Sequence, residues 1–471
     1  MPSGGFRWTT PATVLLGLAL LVALPYLAAA VVRAAIESRS AADRAAYATG
    51  GSPWSWRFRE ADDVVAGRAF GGGSLGASQA GLILRATDGR PMEVGLPLAR
   101  VPDLVRLDSL EWRARASATG VYGLAVRETL DGPLLQAPLG KLGPKDLSRP
   151  ISLRRLAWTD DMGHRASPPT RAAMLRLRAT LPAGATLVLD QAALRADGSP
   201  VAPRSLSLPP GLSAEGLLAW RDTQRAADPL VTFGTATPTR AVPPRSSWIP
   251  PVVYLALLAL SSSRRRKGPS GSGRSLSDPI DAVLVLTGPL WFIAGLGLGP
   301  NPATAGIAMF VAGTAYAFLL ASRRILPGWH WLGTWRAAAW PLLAVPVAFA
   351  IVLTLGHAPL WPSPGRILLY VGWAFFQQWL VLAVVGALLA RVLPRSWAAL
   401  FTALAFALLH TPNGLLMQLC FVAELGWAWW YFHRRALLPV AVAHAASAVL
   451  LQAGLAGGLL RSLEVSARFL Q

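Results

Sequence analysis

One hydrophobic run sets the fold class: residues 366–390 read RILLYVGWAFFQQWLVLAVVGALLA. After Arg366 this run carries no charged side chain, and it exceeds the roughly 20 residues that an α-helix needs to cross a bilayer. Backbone polar groups in hydrocarbon must be satisfied within their own segment, and a helix achieves this. The run therefore predicts a membrane-spanning α-helix.

Similar runs occupy most of the chain after Trp248, so residues 247–471 are predicted to form an all-α polytopic membrane domain. Of the residues in the chain, 53% are hydrophobic and only 14% are charged, whereas about a quarter of the residues in soluble proteins are charged. The expected spans of this domain are 247–262, 279–298, 302–321, 336–356, 366–390, 396–411, 414–432 and 436–457.

The formal net charge of +20 does not indicate nucleic-acid binding, because no block of Lys and Arg is interleaved with aromatic residues. The basic residues lie in short loops beside the apolar runs, on one side of the membrane if the spans alternate. The positive-inside rule makes that side cytoplasmic. We therefore expect residues 37–246 on the extracytoplasmic side of a bacterial inner membrane. These basic positions are Arg264, Arg265, Arg266, Lys267, Arg323, Arg324, Arg391, Arg395, Arg434 and Arg435.

The first apolar segment, within residues 1–36, runs from about Pro11 to Val32. Its small residues Ala28, Ala29 and Ala30 would suit signal-peptide cleavage. The apolar run continues past them and is long enough to span a bilayer, which favours an uncleaved N-terminal membrane anchor. A cleaved signal peptide is the alternative.

Residues 37–198 change in character, because their hydrophobic runs are short and alternating. Around Trp112, every second residue is apolar and the residues between them, such as Arg113, are charged. Alternation with a period of two predicts antiparallel strands with one wet face, and several short strands predict an all-β sandwich. Residues 199–246 are predicted to be a Pro-rich connector with a short helix near 214–226.

Two features give the predicted sandwich a loose resemblance to jelly-roll carbohydrate-binding modules. They are the pair Trp54 and Trp56 and the late strand Thr186–Asp190. The resemblance implies a glycan ligand bound by exposed aromatic rings. A structural or protein-binding sandwich is the alternative.

Polar side chains inside a bilayer are costly and are functional candidates for that reason. In the last four spans these candidates are Gln377, Gln378, His410, Glu424 and His444, and Asn413 follows His410 closely. Phe406 precedes His410 by four residues, so both side chains share one helix face. The single cysteine, Cys420, excludes a disulfide or a Cys-based metal site within one chain.

The order of these residues resembles the CPBP intramembrane proteases, the group of CAAX prenyl endopeptidases and bacteriocin-processing proteins. That family has the motifs Glu-Glu-x-x-x-Arg, Phe-x-x-x-His and His-x-x-x-Asn on successive helices. Here the second motif is intact as Phe406 and His410, and the third keeps His444 but has Ala448 in place of the amide. The first is altered, with Gln377-Gln378 for the glutamates and Leu382 for the arginine. The resemblance covers residues 365–456.

The resemblance implies peptide hydrolysis at these positions, with the first glutamate activating a water molecule and the histidines assisting. A glutamine amide cannot accept the proton; it can only position water or donate a hydrogen bond. Three alternatives remain open: His410 acts as the base, Glu424 supplies the carboxylate, or His410, His444 and Glu424 bind a metal such as zinc. No His-Glu-x-x-His motif supports a metal, and we expect no cofactor.

The sequence thus predicts an intramembrane endopeptidase that cleaves a membrane-anchored protein or peptide, with the β-domain recruiting the substrate. Its expected catalytic residues are Gln377, Gln378, His410 and His444, with Phe406, Asn413 and Glu424 in support. The alternative is a catalytically inactive membrane scaffold with a glycan- or protein-binding module, which the glutamines favour. A transporter is less well supported, because no internal repeat is visible.

Overall fold

The computed structural model describes residues 9–98, 100–144, 147–196, 202–234, 248–267, 277–299, 302–322 and 326–470. The chain divides into two compact units. The membrane unit comprises Met1–Ala34, Pro209–Leu218 and Ala241–Gln471, and the β unit comprises Ala35–Leu208 and Ala219–Arg240.

The chain begins with the predicted apolar helix, α1, at Thr9–Ala48. The predicted span from Pro11 to Val32 lies within it, but the helix continues well past the apolar run. This extension is rich in alanine, the residue with the highest helix propensity, and it carries Arg and Glu side chains suited to water. The N-terminal apolar helix is therefore confirmed, and its second part belongs to the β unit.

The β unit contains two antiparallel sheets. The first has the strand order β3-β4-β11-β6-β9 with β1 paired to β11, and the second has the order β2-β5-β10-β7-β8. The strands are β1 Ser55–Arg57, β2 Phe70–Gly71, β3 Gly73–Ser78, β4 Gly81–Ala86, β5 Met92–Gly95, β6 Ser109–Ala116, β7 Gly120–Arg127, β8 Leu135–Leu142, β9 Ile151–Ser152, β10 Met174–Thr180 and β11 Thr186–Arg195.

The alternation read from the sequence matches the burial of the strands. On β6, Trp112 and Ala114 are buried whereas Arg113 and Arg115 are exposed. Buried residues of both sheets belong to one hydrophobic cluster, in which the Trp112 ring contacts Tyr122 of the other sheet edge-on at 5.9 Å. This shared core is what alternating faces on two sheets require.

Trp54 and Trp56, which carried the carbohydrate-module resemblance, are buried. The Trp54 indole N–H donates to the Arg100 carbonyl at 2.9 Å, and the Trp56 indole N–H donates to the Pro97 carbonyl at 2.9 Å. Both rings therefore belong to the core and offer no exposed stacking surface for a sugar.

The predicted connector contains the expected helix, α2, at Ala214–Ala227. The strands β12 Ser205–Leu206 and β13 Thr232–Phe233, on either side of this helix, pair in parallel. The connector's remaining parts at 197–201 and 235–247 lie outside the described residues.

The membrane unit is helical after Trp248. Its helices are α3 Ile249–Lys267, α4 Ser277–Ala294, α5 Thr304–Ser322, α6 Trp335–Leu342, α7 Ala344–Leu355, α8 Pro364–Gln378, α9 Ala387–Val392, α10 Arg395–Leu408, α11 Gly414–Arg434, α12 Leu438–Leu455 and α13 Ser466–Phe469. A π-helical segment, Trp379–Gly386, joins α8 to α9.

Among the described residues, seven helical stretches are long and apolar enough to cross a membrane, α1 included, so the chain is an integral membrane protein. Six of the eight spans expected after residue 247 meet this criterion. The two others, 247–262 and 396–411, correspond to shorter apolar helices at Ile249–Arg264 and Arg395–Leu408. The expected span 336–356 is divided at Leu343, because Pro346 lacks the N–H that would bond to the Leu342 carbonyl across this point.

His357, between α7 and α8, places both ring nitrogens against carbonyl oxygens. Nδ1 lies 2.9 Å from the Ala358 oxygen and Nε2 lies 2.9 Å from the oxygen of Ala456, at the C-terminal end of α12. Carbonyl oxygens only accept hydrogen bonds, so both contacts are satisfied only by the doubly protonated ring. These two hydrogen bonds raise the pKa of His357 above its ordinary value.

Trp112→Ala should lower the free energy of unfolding of the β unit by about 3–5 kcal/mol, because it leaves a cavity between the sheets. Arg113→Ala, one residue along the same strand on the exposed face, should change it by less than about 0.5 kcal/mol. Resistance of the detergent-solubilised full-length protein to proteolysis across a urea series measures both. Equal effects would contradict the assigned faces of β6.

The stabilisation from His357 should depend on pH. Its pKa is higher in the folded protein than in the unfolded chain, so the contribution is complete below about pH 6.5 and is lost as pH rises through the raised pKa. The difference in Tm between wild type and His357→Gln should therefore shrink on going from pH 6 to pH 9. A difference that stays constant over this range would show that the ring does not bind as a cation.

Candidate active site

Gln378 is the last residue of α8, and the π-helical segment begins immediately after it. At the end of this segment the Ala387 N–H donates to the Leu382 carbonyl, five residues back rather than four. Such widened turns occur frequently at functional sites, where they change the direction of the neighbouring side chains. Gln378 thus lies at the position where the span departs from regular α-helix.

Gln378, Glu424 and His444 meet in the interior, although they come from α8, α11 and α12. The Gln378 side-chain amide donates from Nε2 to Glu424 Oε2 at 3.0 Å, and the same nitrogen lies 3.4 Å from His444 Nδ1. Gln378 and Glu424 are fully buried, and His444 is 5% exposed. Three residues that the sequence places up to 66 positions apart therefore form one buried polar group.

The Phe406 ring joins the two histidines. Its centroid lies 4.8 Å from that of His410 and 5.2 Å from that of His444, and both contacts are edge-to-face. The first contact is the pair predicted from the spacing of four residues on one helix. The second joins α10 to α12, so both imidazoles lie on a common aromatic side chain.

The backbone sets the tautomer of His410. Its Nδ1 lies 2.8 Å from the carbonyl oxygen of Phe406, one turn back. This oxygen can only accept, so Nδ1 carries the proton and Nε2 of the neutral ring keeps a free lone pair. His410 therefore presents a nitrogen that can take up a proton.

Two further aromatic residues surround His444, and the sequence analysis did not single them out. The centroid of the Trp427 ring lies 6.0 Å and that of the Tyr370 ring 6.3 Å from the imidazole. The sequence spacing could have indicated that these two rings lie near the candidate site, because Trp427 follows Glu424 by three residues and Tyr370 precedes Gln378 by two helical turns.

Gln377 and Asn413 are buried, but neither takes part in the hydrogen bonds that connect Gln378, Glu424 and His444. The Asn413 side chain caps α11 by accepting from the Leu416 N–H at 3.2 Å. It also donates to the Ser462 carbonyl at 2.7 Å. The contacts of Asn413 are thus those of a helix cap.

The proposed metal ligands do not form a ligand cluster. Among the described residues, no three His, Cys, Asp or Glu side chains are grouped closely enough to hold a metal ion. Glu424 contacts the Gln378 amide instead, and the Phe406 ring contacts both imidazoles. The residues present therefore do not fit the alternative in which His410, His444 and Glu424 share a zinc ion.

A cavity of about 210 Å³ lies elsewhere in the membrane unit, where α4, α9 and α10 meet. Its walls are apolar side chains such as Leu286, Leu389 and Phe401. None of the candidate site residues lines it, so this cavity is separate from the polar group around Gln378.

Part of the membrane unit is similar to a known protein family. Residues 382–450 match the family model described as type II CAAX prenyl endopeptidase, Rce1-like. The matched segment contains Phe406, His410, Glu424 and His444, whereas Gln378 lies four residues before it. No curated protein matches the chain.

A solved structure described as "Crystal structure of Agl-KA catalytic domain" is similar to 38% of this chain, at 14% sequence identity and a TM-score of 0.17. The chain spans 35% of the length of that protein. At this TM-score the likeness supports no conclusion about fold or ligand.

The second and third motifs of the CPBP resemblance, at Phe406, His410 and His444, lie within the independently matched segment. Residues 382–450 are thus similar to the Rce1-like type II CAAX prenyl endopeptidases of the CPBP family, in agreement with the resemblance read from the motifs.

Proposed function

We propose that this protein is an intramembrane endopeptidase that hydrolyses a peptide bond of a membrane-associated protein or peptide. The observation that carries the proposal is that His410 and His444 both contact the Phe406 ring edge-to-face, within the matched segment. The buried amide–carboxylate pair of Gln378 and Glu424 adjoins them. Polar groups concentrated in this way inside a membrane bundle are costly unless they serve a function.

In the proposed reaction, His410 Nε2 accepts a proton from a water molecule while the water oxygen attacks the carbonyl carbon of the substrate. The carbonyl oxygen becomes negatively charged and is stabilised by hydrogen-bond donors of the site. The C–N bond then breaks, and His410 returns its proton to the leaving amine. An imidazole can carry out both transfers, because its ring nitrogen takes up and releases a proton.

The assignment of His410 as the base follows from what its neighbours offer. The glutamate that acts as the base in the family motif corresponds to Gln377, and neither the Gln377 nor the Gln378 amide can take up the proton. His410 keeps a lone pair on Nε2 because its Nδ1 proton is held by Phe406. No metal or cofactor is needed for these steps.

We further propose that the β unit forms a β-sandwich that selects or holds the substrate, on the extracytoplasmic side of a bacterial inner membrane. The basic residues that flank the membrane spans support this orientation. The burial of Trp54 and Trp56 favours a protein or peptide over a glycan as the bound partner.

An inactive scaffold is the second candidate. The observation in its favour is Gln378 itself, since the motif to which it corresponds carries a glutamate in the CPBP proteases. In that case the polar group would only join α8, α11 and α12, as buried polar side chains do between membrane helices.

His410→Ala should lower proteolytic processing by about 100-fold or more, the usual contribution of a general base. His433→Ala is the matched control. His433 Nδ1 also contacts a carbonyl one turn back, that of Trp429 at 2.7 Å, but His433 is exposed and takes no part in the hydrogen bonds that connect Gln378, Glu424 and His444.

The measurement is the accumulation of uncleaved membrane precursors in a deletion strain complemented with wild type, His410→Ala or His433→Ala, at equal protein levels in the membrane. Accumulation with the His410 variant alone supports the protease. Full complementation by both variants would leave the scaffold as the function.

A further inference from the structure

Glu424 is the sole acidic residue between Arg366 and Ala456, and it lies on a helix where the family motifs carry no carboxylate. Its side chain is fully buried. Oε2 accepts from Gln378 Nε2 at 3.0 Å, and Oε1 has no hydrogen-bond partner among the described residues. Burying a carboxylate costs free energy, so the position of Glu424 calls for a functional explanation.

The carboxylate determines how the Gln378 amide is oriented. Glu424 Oε2 accepts from Gln378 Nε2, so the amide presents its NH₂ group to Glu424. The second hydrogen of this NH₂ group is then directed to His444 Nδ1, 3.4 Å from the amide nitrogen. Nδ1 must therefore be the unprotonated nitrogen of His444, and the proton of the neutral ring lies on Nε2.

A glutamate at position 378 would have the opposite effect. In its ionised form this glutamate could only accept from His444 Nδ1–H, which would leave Nε2 without a proton. It would also bring a second carboxylate to within hydrogen-bonding distance of Glu424, and two carboxylates so close cannot both be ionised at neutral pH. The amide at 378 and the carboxylate at 424 thus suit each other.

The two histidines consequently hold opposite tautomers. His410 donates from Nδ1 and keeps the lone pair on Nε2, whereas His444 accepts at Nδ1 and keeps the proton on Nε2. Peptide hydrolysis needs one group that takes a proton from water and another that donates to the developing oxyanion. The His410 ring can take the proton from water, and the His444 ring can donate to the oxyanion.

We infer that Glu424 is a positioning residue of the proposed peptidase: it holds the Gln378 amide so that His444 presents Nε2–H to the oxyanion. This inference rests on the proposed function. Glu424 does not touch the substrate, and it acts through Gln378 alone.

Three variants of the full-length protein test the inference: E424Q, the exchange Q378E/E424Q and the control E464Q, which is the same change at an exposed glutamate. Each is assayed for precursor processing in the deletion strain. The tautomer of His444 is read from the ¹⁵N shifts of histidine-labelled protein in detergent, with His410 as internal reference. Membrane abundance and Tm show that each variant is folded.

We expect E424Q to lower processing by about 10- to 100-fold, the usual effect of removing a group that orients another. An amide at 424 can donate as well as accept, so the Gln378 amide loses its fixed orientation and His444 its fixed tautomer. The exchange Q378E/E424Q keeps one amide–carboxylate hydrogen bond but moves the proton of His444 to Nδ1, so it should fold and remain poorly active. E464Q should leave processing and the His444 tautomer unchanged, because the Glu464 side chain is exposed and pairs with Arg468.

Other outcomes would overturn the inference. Full activity of the exchange variant together with loss in E424Q would mean that a carboxylate in either position serves as the base. Full activity of E424Q alongside an inactive His410→Ala would show that Glu424 only packs, while the peptidase itself stands. Full activity of His410→Ala would remove the proposed function and the inference with it.

Discussion

The hydrogen bond between Gln378 and Glu424 is the interaction on which the interior of the membrane unit depends. A carboxylate withdrawn from water must be given a donor, because an uncompensated charge in a low-dielectric interior costs several kcal/mol. Among the described residues the Gln378 amide is the donor that Glu424 has. The pair fixes the position of α8 relative to α11 and leaves one amide hydrogen for His444 on α12. The geometry of the candidate site follows from this one contact.

The helix that carries Gln378 departs from regular α-helical geometry at this contact. Pro364–Val392 forms one apolar stretch of 29 residues, but its hydrogen-bond ladder widens to a π-helix directly after Gln378. The wider turn changes which way the following side chains face, and all eight residues of the π-helical segment are buried. Local irregularity in the backbone is thus associated with the one polar side chain that the site takes from this span.

Much of this arrangement could be predicted from the sequence, and the reasons for success differ from residue to residue. Phe406 and His410 are four residues apart, so helix geometry alone places their rings together. The alternation around Trp112 predicted the buried face of β6, because successive side chains of a strand point to opposite faces of the sheet. The distinction between Gln377 and Gln378 could not be predicted, since it depends on which face of α8 meets α11. The burial of Trp54 and Trp56 could likewise not be predicted, because tertiary packing rather than the local sequence pattern decides which tryptophans enter the core.

The two departures in the first motif are consistent with each other. The family motif pairs glutamates with an arginine four residues on, and this chain has Gln378 and Leu382 at those positions. Leu382 is fully buried among apolar neighbours, where an arginine without a carboxylate beside it would be an uncompensated charge. Loss of the carboxylate at 378 therefore removes the need for the cation at 382, and the carboxylate at 424 is held by a neutral amide instead. If only the glutamate were replaced, the arginine at position 382 would be buried without a counter-charge. The neutral pair of Gln378 and Leu382 avoids that charge, and Glu424 on α11 accepts a hydrogen bond from the Gln378 amide.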